Sequence, residues 1–231
     1  MEHTHNTNLS LYNRDGMVYN MEIKKNKKPP RLTAIILAGG KSSRIGSDQD
    51  KAILKLNGKR LIDIVISKLK HIVGDNIIIV GPPEKYPSYK QVVPDLFNQR
   101  GLLVGLYSGL KTSASQYNLV VGCDMPFLKV ELLQYMRDKI DSNDIIIPRY
   151  AKSYVEPLCA IYSKDCLEVM KRNIKAGILS VRKIFPYFKV KYIEEKEIKR
   201  VDPELNSFFN VNYKDDFIRA EELIKGYESN D

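Results

Sequence analysis

The chain has 231 residues, of which 43% are hydrophobic and 28% charged, so it can bury one large core without disulfides or a structural metal. That balance excludes a wholly disordered protein. No apolar run approaches the roughly 20 residues that a membrane helix needs, and residues 1–30 lack the apolar segment of a signal peptide, so we expect a cytoplasmic protein.

The charge of the chain is unbalanced, with 37 Lys and Arg residues against 28 Asp and Glu residues and a net charge of +9. This favours an anionic partner. Nucleic acid is not the expected one, because the basic residues are not interleaved with aromatic ones and Trp is absent. The three cysteines, Cys123, Cys159 and Cys166, lack the spacing of a zinc or redox site, so we expect reduced thiols.

The first segment, residues 1–30, is polar and ends in a basic stretch from Lys24 to Pro30. It has no apolar period with which to bury a face. We predict a flexible basic extension over 1–30 and a single domain over 31–231. The extension is either a solvated tail or an arm that steers a nucleic acid or a substrate.

Short apolar runs in the first part of the domain predict strands that are buried on both faces. They lie at Thr33–Leu37, Asn76–Val80, Gln91–Val93, Asn118–Val121 and Asp144–Ile147. Between them, apolar residues recur at helical spacing over 61–69, 103–110 and 132–140. This alternation predicts an α/β fold with a Rossmann-like, doubly wound and mostly parallel sheet.

The second half continues the pattern as far as the end of the chain. It contains an apolar run at Tyr154–Tyr162, a helix at Lys164–Lys175, a short helix at Val181–Phe185, a strand at Phe188–Ile193, a last strand at Phe208–Val211 and a helix at Lys214–Lys225. No linker rich in Pro, Gly or Ser divides residues 31–231, which is why we predict one domain.

The first predicted strand ends in Leu-Ala-Gly-Gly-Lys-Ser-Ser-Arg-Ile-Gly, residues 37–46. Paired glycines allow backbone amides to approach a phosphate, while Lys41, Arg44 and Lys51 supply positive charge. Neither the Walker pattern nor the dinucleotide fingerprint is present. The pattern therefore indicates a triphosphate cradle, and the alternative is that the two glycines only turn a corner.

A carboxylate, Asp124, lies three positions after the end of the fourth predicted strand. Pro126 stops regular structure two residues later, so Asp124 lies at the exposed end of a buried strand. A carboxylate in that position suits Mg²⁺ that bridges phosphate oxygens. The alternative is a helix N-cap.

At this point the sequence resembles the nucleotidyltransferases, and within them it is most similar to molybdenum cofactor guanylyltransferase. The resemblance covers about residues 32–226. It is carried by residues 37–46 with Asp50-Lys51, by Cys123-Asp124-Met125-Pro126-Phe127, by the Asn-Val-Asn of 210–212, by Pro94-Asp95 with Gly101–Gly105, and by Glu156–Tyr162.

The resemblance implies transfer of GMP from GTP to the terminal phosphate of molybdopterin, with pyrophosphate released and Mg²⁺ as cofactor. It places Arg44, Lys51 and Asp124 in catalysis, with Asp124 as the metal ligand. The implied nucleotide-binding set is Leu37, Ala38, Gly39, Lys51, Asp95 and Asp124. The Leu-Ala-Gly-Gly form favours GTP over CTP, and a partner protein that delivers or receives the pterin is expected.

Several readings stay open at the level of the sequence. The loop before Lys51 is one residue longer than usual, which leaves the reach of that lysine open. Asn212 either completes the metal shell or caps the last helix. Four basic residues either hold the acceptor phosphate or belong to a solvated face: Arg149, Lys152, Arg182 and Lys183. The rival functions are guanylyl or cytidylyl transfer to another phosphate, such as cobinamide phosphate, and a binding module for nucleotide or nucleic acid.

Overall fold

A computed structural model describes residues 9–12, 18–21, 30–38 and 51–228 of the chain. Strands β1 (Leu9–Tyr12) and β2 (Val18–Met21) pair antiparallel in a sheet of their own. No regular structure was predicted within residues 1–30, although the alternation of Leu9, Ser10 and Leu11 is typical of a strand. The flexible character of residues 1–30 stays a prediction. Within the described ranges, no helix has the length and apolar character to cross a membrane.

The remaining elements follow the predicted alternation of strands and helices. In chain order they are β3 Leu32–Leu37, β4 Lys55–Leu56, β5 Lys59–Arg60, α1 Leu61–Val73, β6 Ile77–Val80, β7 Val92–Val93, α2 Leu102–Thr112, β8 Tyr117–Gly122, α3 Val130–Arg137, β9 Ile145–Tyr150, β10 Tyr154–Val155, β11 Cys159–Ser163, α4 Leu167–Lys175, β12 Val190–Glu194, α5 Glu195–Ile198 and α6 Lys214–Glu228. Short 3₁₀ helices lie at Lys51–Ile53, Pro83–Lys85, Lys164–Cys166, Val181–Tyr187 and Asn206–Phe208.

The main sheet has eight strands in the part of the chain that the structure describes. Seven follow the order β10-β9-β11-β8-β3-β6-β7, and β12 pairs with β9. Strands β7, β6, β3 and β8 are mutually parallel, whereas β11 runs antiparallel to both β8 and β9. The mostly parallel α/β fold is confirmed. The antiparallel strand arises because β9, β10 and β11 are joined by connections too short for a helical crossover.

Helices cover both faces of this sheet, as the doubly wound prediction requires. One apolar cluster includes Ile36 of β3 and residues of α1 and α3, and the other includes Ile35 with residues of α2 and α4. Neighbouring residues of a strand point to opposite faces, so the continuous apolar run of β3 serves both clusters. All three cysteines are free and buried.

The predicted strand at Phe208–Val211 is wrong. Residues 206–208 form a 3₁₀ helix instead, and 209–212 carry no strand pairing. The cause is Asp202, whose carboxylate accepts hydrogen bonds from the backbone N–H groups of Asn206 (3.1 Å) and Ser207 (2.8 Å). Leu205 turns the chain in the left-handed region with φ 56°. The turn buries Phe208, as a strand would have done. An apolar run of this length is therefore compatible with either a buried strand or a buried 3₁₀ turn.

Candidate functional site

Three parallel strands, β3, β6 and β8, end together at the carboxyl edge of the sheet. Their last residues, Leu37, Val80 and Gly122, lie side by side in the register. Ligands bind at this edge in open α/β sheets. The edge therefore collects the sequence-predicted residues that follow each strand.

The backbone of Leu37 and Ala38 is fixed from three directions. Ala38 N–H donates to the Val80 carbonyl (2.8 Å), and Cys123 N–H donates to the Leu37 carbonyl (3.3 Å). The hydroxyl of Tyr86, a fully buried side chain, donates to the Ala38 carbonyl at 2.8 Å. Sequence reasoning missed Tyr86 because it follows a 3₁₀ helix in a loop without a motif. The chain therefore enters the glycine-rich segment from a rigid base.

The cationic part of the predicted site is less completely described. Gly39 and Arg44, together with Lys41, lie outside the described residues. Lys51 begins the 3₁₀ helix Lys51–Ile53, and its neighbour Ala52 is fully buried, but its side chain is not among those described. The roles of Gly39, Arg44 and Lys51 stay predictions.

Asp95 lies near Leu37, against Gly105 of α2. Its Oδ1 atom and the two Cδ atoms of Leu37 are each 3.6 Å from the place that a Cβ on Gly105 would occupy. Next to it, Leu96 N–H donates to Ser108 Oγ at 2.9 Å, which ties the loop to α2. Partial desolvation raises the pKa of the Asp95 carboxyl above its ordinary value. The structure thus brings together two of the predicted nucleotide-binding residues.

Asp124 is held at the end of β8 by its neighbours. A Cβ on Gly122 would overlap Asp124 Oδ1, so the carboxylate lies back over the space that this glycine leaves. The Asp124 carbonyl accepts a hydrogen bond from Val211 N–H at 2.9 Å. This bond docks the segment 209–212 against the edge of the sheet, where Asn210 and Asn212 flank Val211.

A second carboxylate, Glu156, lies close to Asp124. Only 4% of Glu156 is exposed, and it accepts a hydrogen bond from Leu158 N–H (3.0 Å); the side chain of Asn210 lies near enough to lower the pKa of its carboxyl. Burial raises the pKa of the Glu156 carboxyl, the bond from Leu158 opposes that rise, and the charge of Asp124 adds to it. Asp124, Glu156 and Asn210 thus form one cluster of oxygen donors.

Glu156 lies in one of the segments that carry the family resemblance, but it is not among the predicted site residues. Its place follows from the antiparallel register, in which Cys159 pairs with Val121. Continuing that register beyond the ends of both strands brings Glu156 opposite Asp124. The sequence carries no signal for this contact, because residues 154–163 do not specify the strand with which β11 pairs.

Asn212 and the start of α6 are joined through Asp216. The Oδ2 atom of Asp216 accepts hydrogen bonds from the backbone N–H groups of Asn212 (2.7 Å) and Tyr213 (2.8 Å). Both N–H groups precede the helix, so these bonds from its first turn fix how the chain enters α6. A metal role for the Asn212 side chain stays a prediction.

The donor set at Asp124 fits Mg²⁺, which prefers oxygen ligands and keeps several waters or phosphate oxygens in its shell. No group of three or more His, Cys, Asp and Glu residues is arranged to hold a metal ion in the described ranges. Mg²⁺ bound with a nucleoside triphosphate takes few protein ligands, because phosphate oxygens and waters fill its other positions.

Comparisons with known proteins agree with this geometry. Residues 34–188 match the model of the MobA-like NTP transferase domain. The chain is 38% identical over 196 residues to "Molybdenum cofactor guanylyltransferase" of Desulfosudis oleivorans, covering 84% of this chain and 96% of that protein. It is 35% identical to a "Probable molybdenum cofactor guanylyltransferase" of Pelotomaculum thermopropionicum, covering 82% and 92%.

Solved structures give the same answer for the fold. Molybdopterin-guanine dinucleotide biosynthesis protein A of Archaeoglobus fulgidus superposes with a TM-score of 0.73 at 30% identity, covering 84% of this chain and 99% of that one. A cytidylyltransferase of Thermus thermophilus, for 2-C-methyl-D-erythritol 4-phosphate, shares the fold at 15% identity with a TM-score of 0.63, covering 84% and 99%. The matched domain, the relatives at the level of sequence and the strand-edge geometry agree, and the chain belongs to the MobA-like NTP transferase family.

Proposed function

We propose that this protein transfers GMP from GTP to the terminal phosphate of molybdopterin, releasing pyrophosphate and forming the guanine dinucleotide form of the molybdenum cofactor. The observation that carries the proposal is the convergence of Leu37, Ala38, Asp95 and Asp124 at one edge of the sheet. The names of its relatives, molybdenum cofactor guanylyltransferases, support the substrates. Its place would be the cytoplasm, where GTP is available.

The base of the nucleotide is assigned to the space beside Asp95. A carboxylate accepts hydrogen bonds only, and guanine offers a ring N–H and an amino group on one edge. The backbone of Leu37, Ala38 and Gly39 would line the same space, and the rigid base under Ala38 keeps it open. This pairing supports GTP over CTP, whose ring presents acceptors in that region.

The reaction requires no general base. The terminal phosphate of molybdopterin is ionised at neutral pH, so one of its oxygens attacks the α-phosphorus of GTP. A P–O bond forms there, the bond from the α-phosphorus to the bridging oxygen breaks, and pyrophosphate leaves. Catalysis then consists of holding two anions in line and compensating their charge, which is the role proposed for Arg44 and Lys51.

Asp124 would hold Mg²⁺, with Glu156 and Asn210 beside it. When bound, Mg²⁺ stabilises the negative charge on the phosphate oxygens. Glu156, which is almost fully buried, would supply negative charge beside that site. The bond from Val211 to Asp124 keeps the peptide of this aspartate in place.

Titration calorimetry with GTP, CTP and ATP, each with Mg²⁺ and with EDTA, tests the nucleotide part of the proposal. We expect selective GTP binding that Mg²⁺ strengthens. Transfer is then followed as pyrophosphate release in the presence of molybdopterin. A preference for CTP would move the protein to cytidylyl transfer, and no nucleotide binding would contradict an enzymatic role.

Replacing Asp95 with Asn should weaken GTP binding by about 10- to 100-fold, the range for losing hydrogen bonds to a charged acceptor. The amide presents a donor where guanine also donates. CTP binding, measured in parallel by calorimetry, serves as the control because it does not need the carboxylate. Equal GTP affinity in the Asn variant would place the base elsewhere.

The same residue predicts a pH dependence. Because desolvation raises the pKa of Asp95, its carboxylate takes up a proton earlier on acidification than a free aspartate does. GTP affinity should therefore fall as the pH is lowered through that raised pKa, and it should level off above it. The Asp95→Asn variant corrects for protonation of GTP itself, and the decrease should be smaller in that variant.

Replacing Tyr86 with Phe should lower GTP affinity several-fold and the free energy of unfolding by about 1 kcal/mol, the usual contribution of one hydrogen bond. The reason is that the Ala38 carbonyl loses its bond from the buried hydroxyl. Tyr89→Phe is the matched control, since its hydroxyl donates to Asp63 at 2.7 Å. Urea unfolding and GTP titration should show a stability loss in both variants and an affinity loss in Tyr86→Phe alone.

A further inference from the structure

Two of the basic residues that could hold the acceptor phosphate, Arg149 and Arg182, have different partners in the structure. Arg149 is engaged by Glu194, whose two carboxylate oxygens accept from its guanidinium, with Nε at 3.1 Å. It also lies over the ring of Tyr192 at 4.3 Å. Arg149 is therefore part of the pairing between β9 and β12.

Arg182 has different surroundings. Its guanidinium carbon lies 5.4 Å from the centre of the Tyr154 ring. The positive charge of Arg182 lowers the pKa of the Glu156 carboxyl. Within the described residues it makes no hydrogen bond and no ion pair, and its side chain is exposed. A guanidinium carries five N–H donors in a planar fork, so those donors are directed to water or to a ligand.

The backbone of Arg182 is well anchored although its side chain is exposed. It lies in the first turn of the 3₁₀ helix Val181–Tyr187, where Val181 is 3% exposed and Ile184 is fully buried. Both belong to the apolar cluster beneath α2 and α4. The guanidinium therefore has a fixed point of attachment near Glu156, the neighbour of Asp124.

Tyr154 presents an exposed aromatic ring at the same place. It is 46% exposed, and its ring packs edge-on against Tyr150 with the centres 5.4 Å apart. Tyr150 in turn stacks on Phe208, with the rings 4.2 Å apart and nearly parallel. Phe208 begins the segment that leads through Asn210 to the Asp124 contact. The ring of Tyr154 is therefore held by packing against Tyr150, and Tyr150 connects it through Phe208 to the segment that contacts Asp124.

We infer that Arg182 and Tyr154 form the subsite for the phosphate acceptor, with Arg182 holding its phosphomonoester and Tyr154 covering its flat ring. This inference rests on the proposed function, and it assigns residues on the acceptor side. Arginine binds phosphate through two parallel N–H bonds, which fixes orientation as well as charge. An aromatic ring supplies a stacking surface for a planar heterocycle.

Two probes test the subsite. The first is 6-hydroxymethylpterin monophosphate, a flat ring with one phosphomonoester, whose binding is followed by calorimetry. The second is transfer from GTP to molybdopterin. Arg182→Gln should weaken pterin phosphate binding at least tenfold and raise KM for molybdopterin to a similar extent, with GTP affinity within twofold of the wild type. Arg182→Lys should give pterin phosphate binding and a KM for molybdopterin between those of the wild type and Arg182→Gln. An ammonium keeps the positive charge but cannot form two parallel N–H bonds to the phosphate.

The ring of Tyr154 is tested separately. Tyr154→Leu should weaken binding of the pterin phosphate, whereas Tyr154→Phe should retain it, because the ring and not the hydroxyl makes the contact. Lys183→Gln is the matched control, since it removes one positive charge from the next position of the same helix. Lys183→Gln should leave both pterin phosphate binding and the KM for molybdopterin unchanged.

The outcomes distinguish this inference from the proposed function. Wild-type protein that binds the pterin phosphate through Arg182 but transfers no GMP to molybdopterin would contradict the function and support the subsite. Transfer that proceeds in Arg182→Gln with an unchanged KM would overturn the subsite and leave the function. Equal losses in Arg182→Gln and Lys183→Gln would also overturn it, because they would reveal a diffuse charge effect. Thermal unfolding of each variant checks that the fold is retained.

Discussion

Replacing Asp124 with Ala should lower the rate of Mg²⁺-dependent GMP transfer by at least about 10²- to 10³-fold, the scale for removing one preorganised electrostatic group. The carboxylate is the central oxygen donor of the proposed metal site, and Glu156 is too deeply buried to replace it. Pyrophosphate release at saturating GTP and molybdopterin measures the loss. Higher Mg²⁺ concentrations should not restore it.

The fold should survive this change. The bond between Val211 and Asp124 uses the backbone carbonyl of Asp124, so the alanine variant keeps it. Asp165→Ala is a matched control, because this carboxylate follows β11 and lies at the opposite edge of the sheet, where it accepts from Gln116 and Ser163. That variant should lose stability and keep its rate. A wild-type rate in Asp124→Ala would remove this aspartate from the mechanism.

Asp124 could be found in the sequence from its position after a strand, and Asp95, which the resemblance to the nucleotidyltransferases singled out, has a similar position. A strand buried on both faces appears as a continuous apolar run, and the first polar residues after it lie at the carboxyl edge. Asp124 follows β8 and Asp95 follows β7 in this way. The position of a residue after a strand is local information, so no contact between distant segments had to be known.

Glu156 and Tyr86 depend on information that is not local. Glu156 reaches Asp124 because β11 pairs antiparallel with β8, and nothing in residues 154–163 specifies that partner or its register. Tyr86 acts on Ala38 across 48 positions of the sequence. The register of a sheet is determined by the side chains of several strands together. Residues that contribute through such pairing are therefore missed by motif and spacing.

The wrong strand at 208–211 has another cause. Its apolar residues Phe208 and Val211 are indeed buried, so the prediction of burial was correct while the backbone conformation was not. The carboxylate of Asp202 holds the N–H groups of Asn206 and Ser207 just before this segment. The N–H groups of Phe208 and Phe209 then donate to the carbonyls of Leu205 and Asn206 within the turn, not to a neighbouring strand. Side-chain acceptors of this kind favour turns over regular pairing. The resulting turn is what brings Asn210 toward Glu156.

A substitution in helix α2, Gly109→Ala, should lower the free energy of unfolding. Gly109 allows this helix to lie directly on the sheet, because a Cβ there would be 2.5 Å from Ile35 Cγ2 and 3.1 Å from Val80 Cγ2. Both neighbours are buried and have little freedom to move. Gly109→Ala should therefore cost about 1–3 kcal/mol of overpacking, against which the helix regains at most about 1 kcal/mol of propensity.

Gly105, one turn earlier on the same face of α2, separates packing from helix propensity. A Cβ at Gly105 would have its nearest neighbours at 3.6 Å, which is ordinary van der Waals contact. Gly105→Ala should thus raise the free energy of unfolding by up to about 1 kcal/mol, while Gly109→Ala lowers it. Urea unfolding of the two variants measures the difference. Equal shifts would mean that α2 can move away from the sheet, and because Leu37 and Asp95 lie against Gly105, such a movement would also open the proposed guanine site.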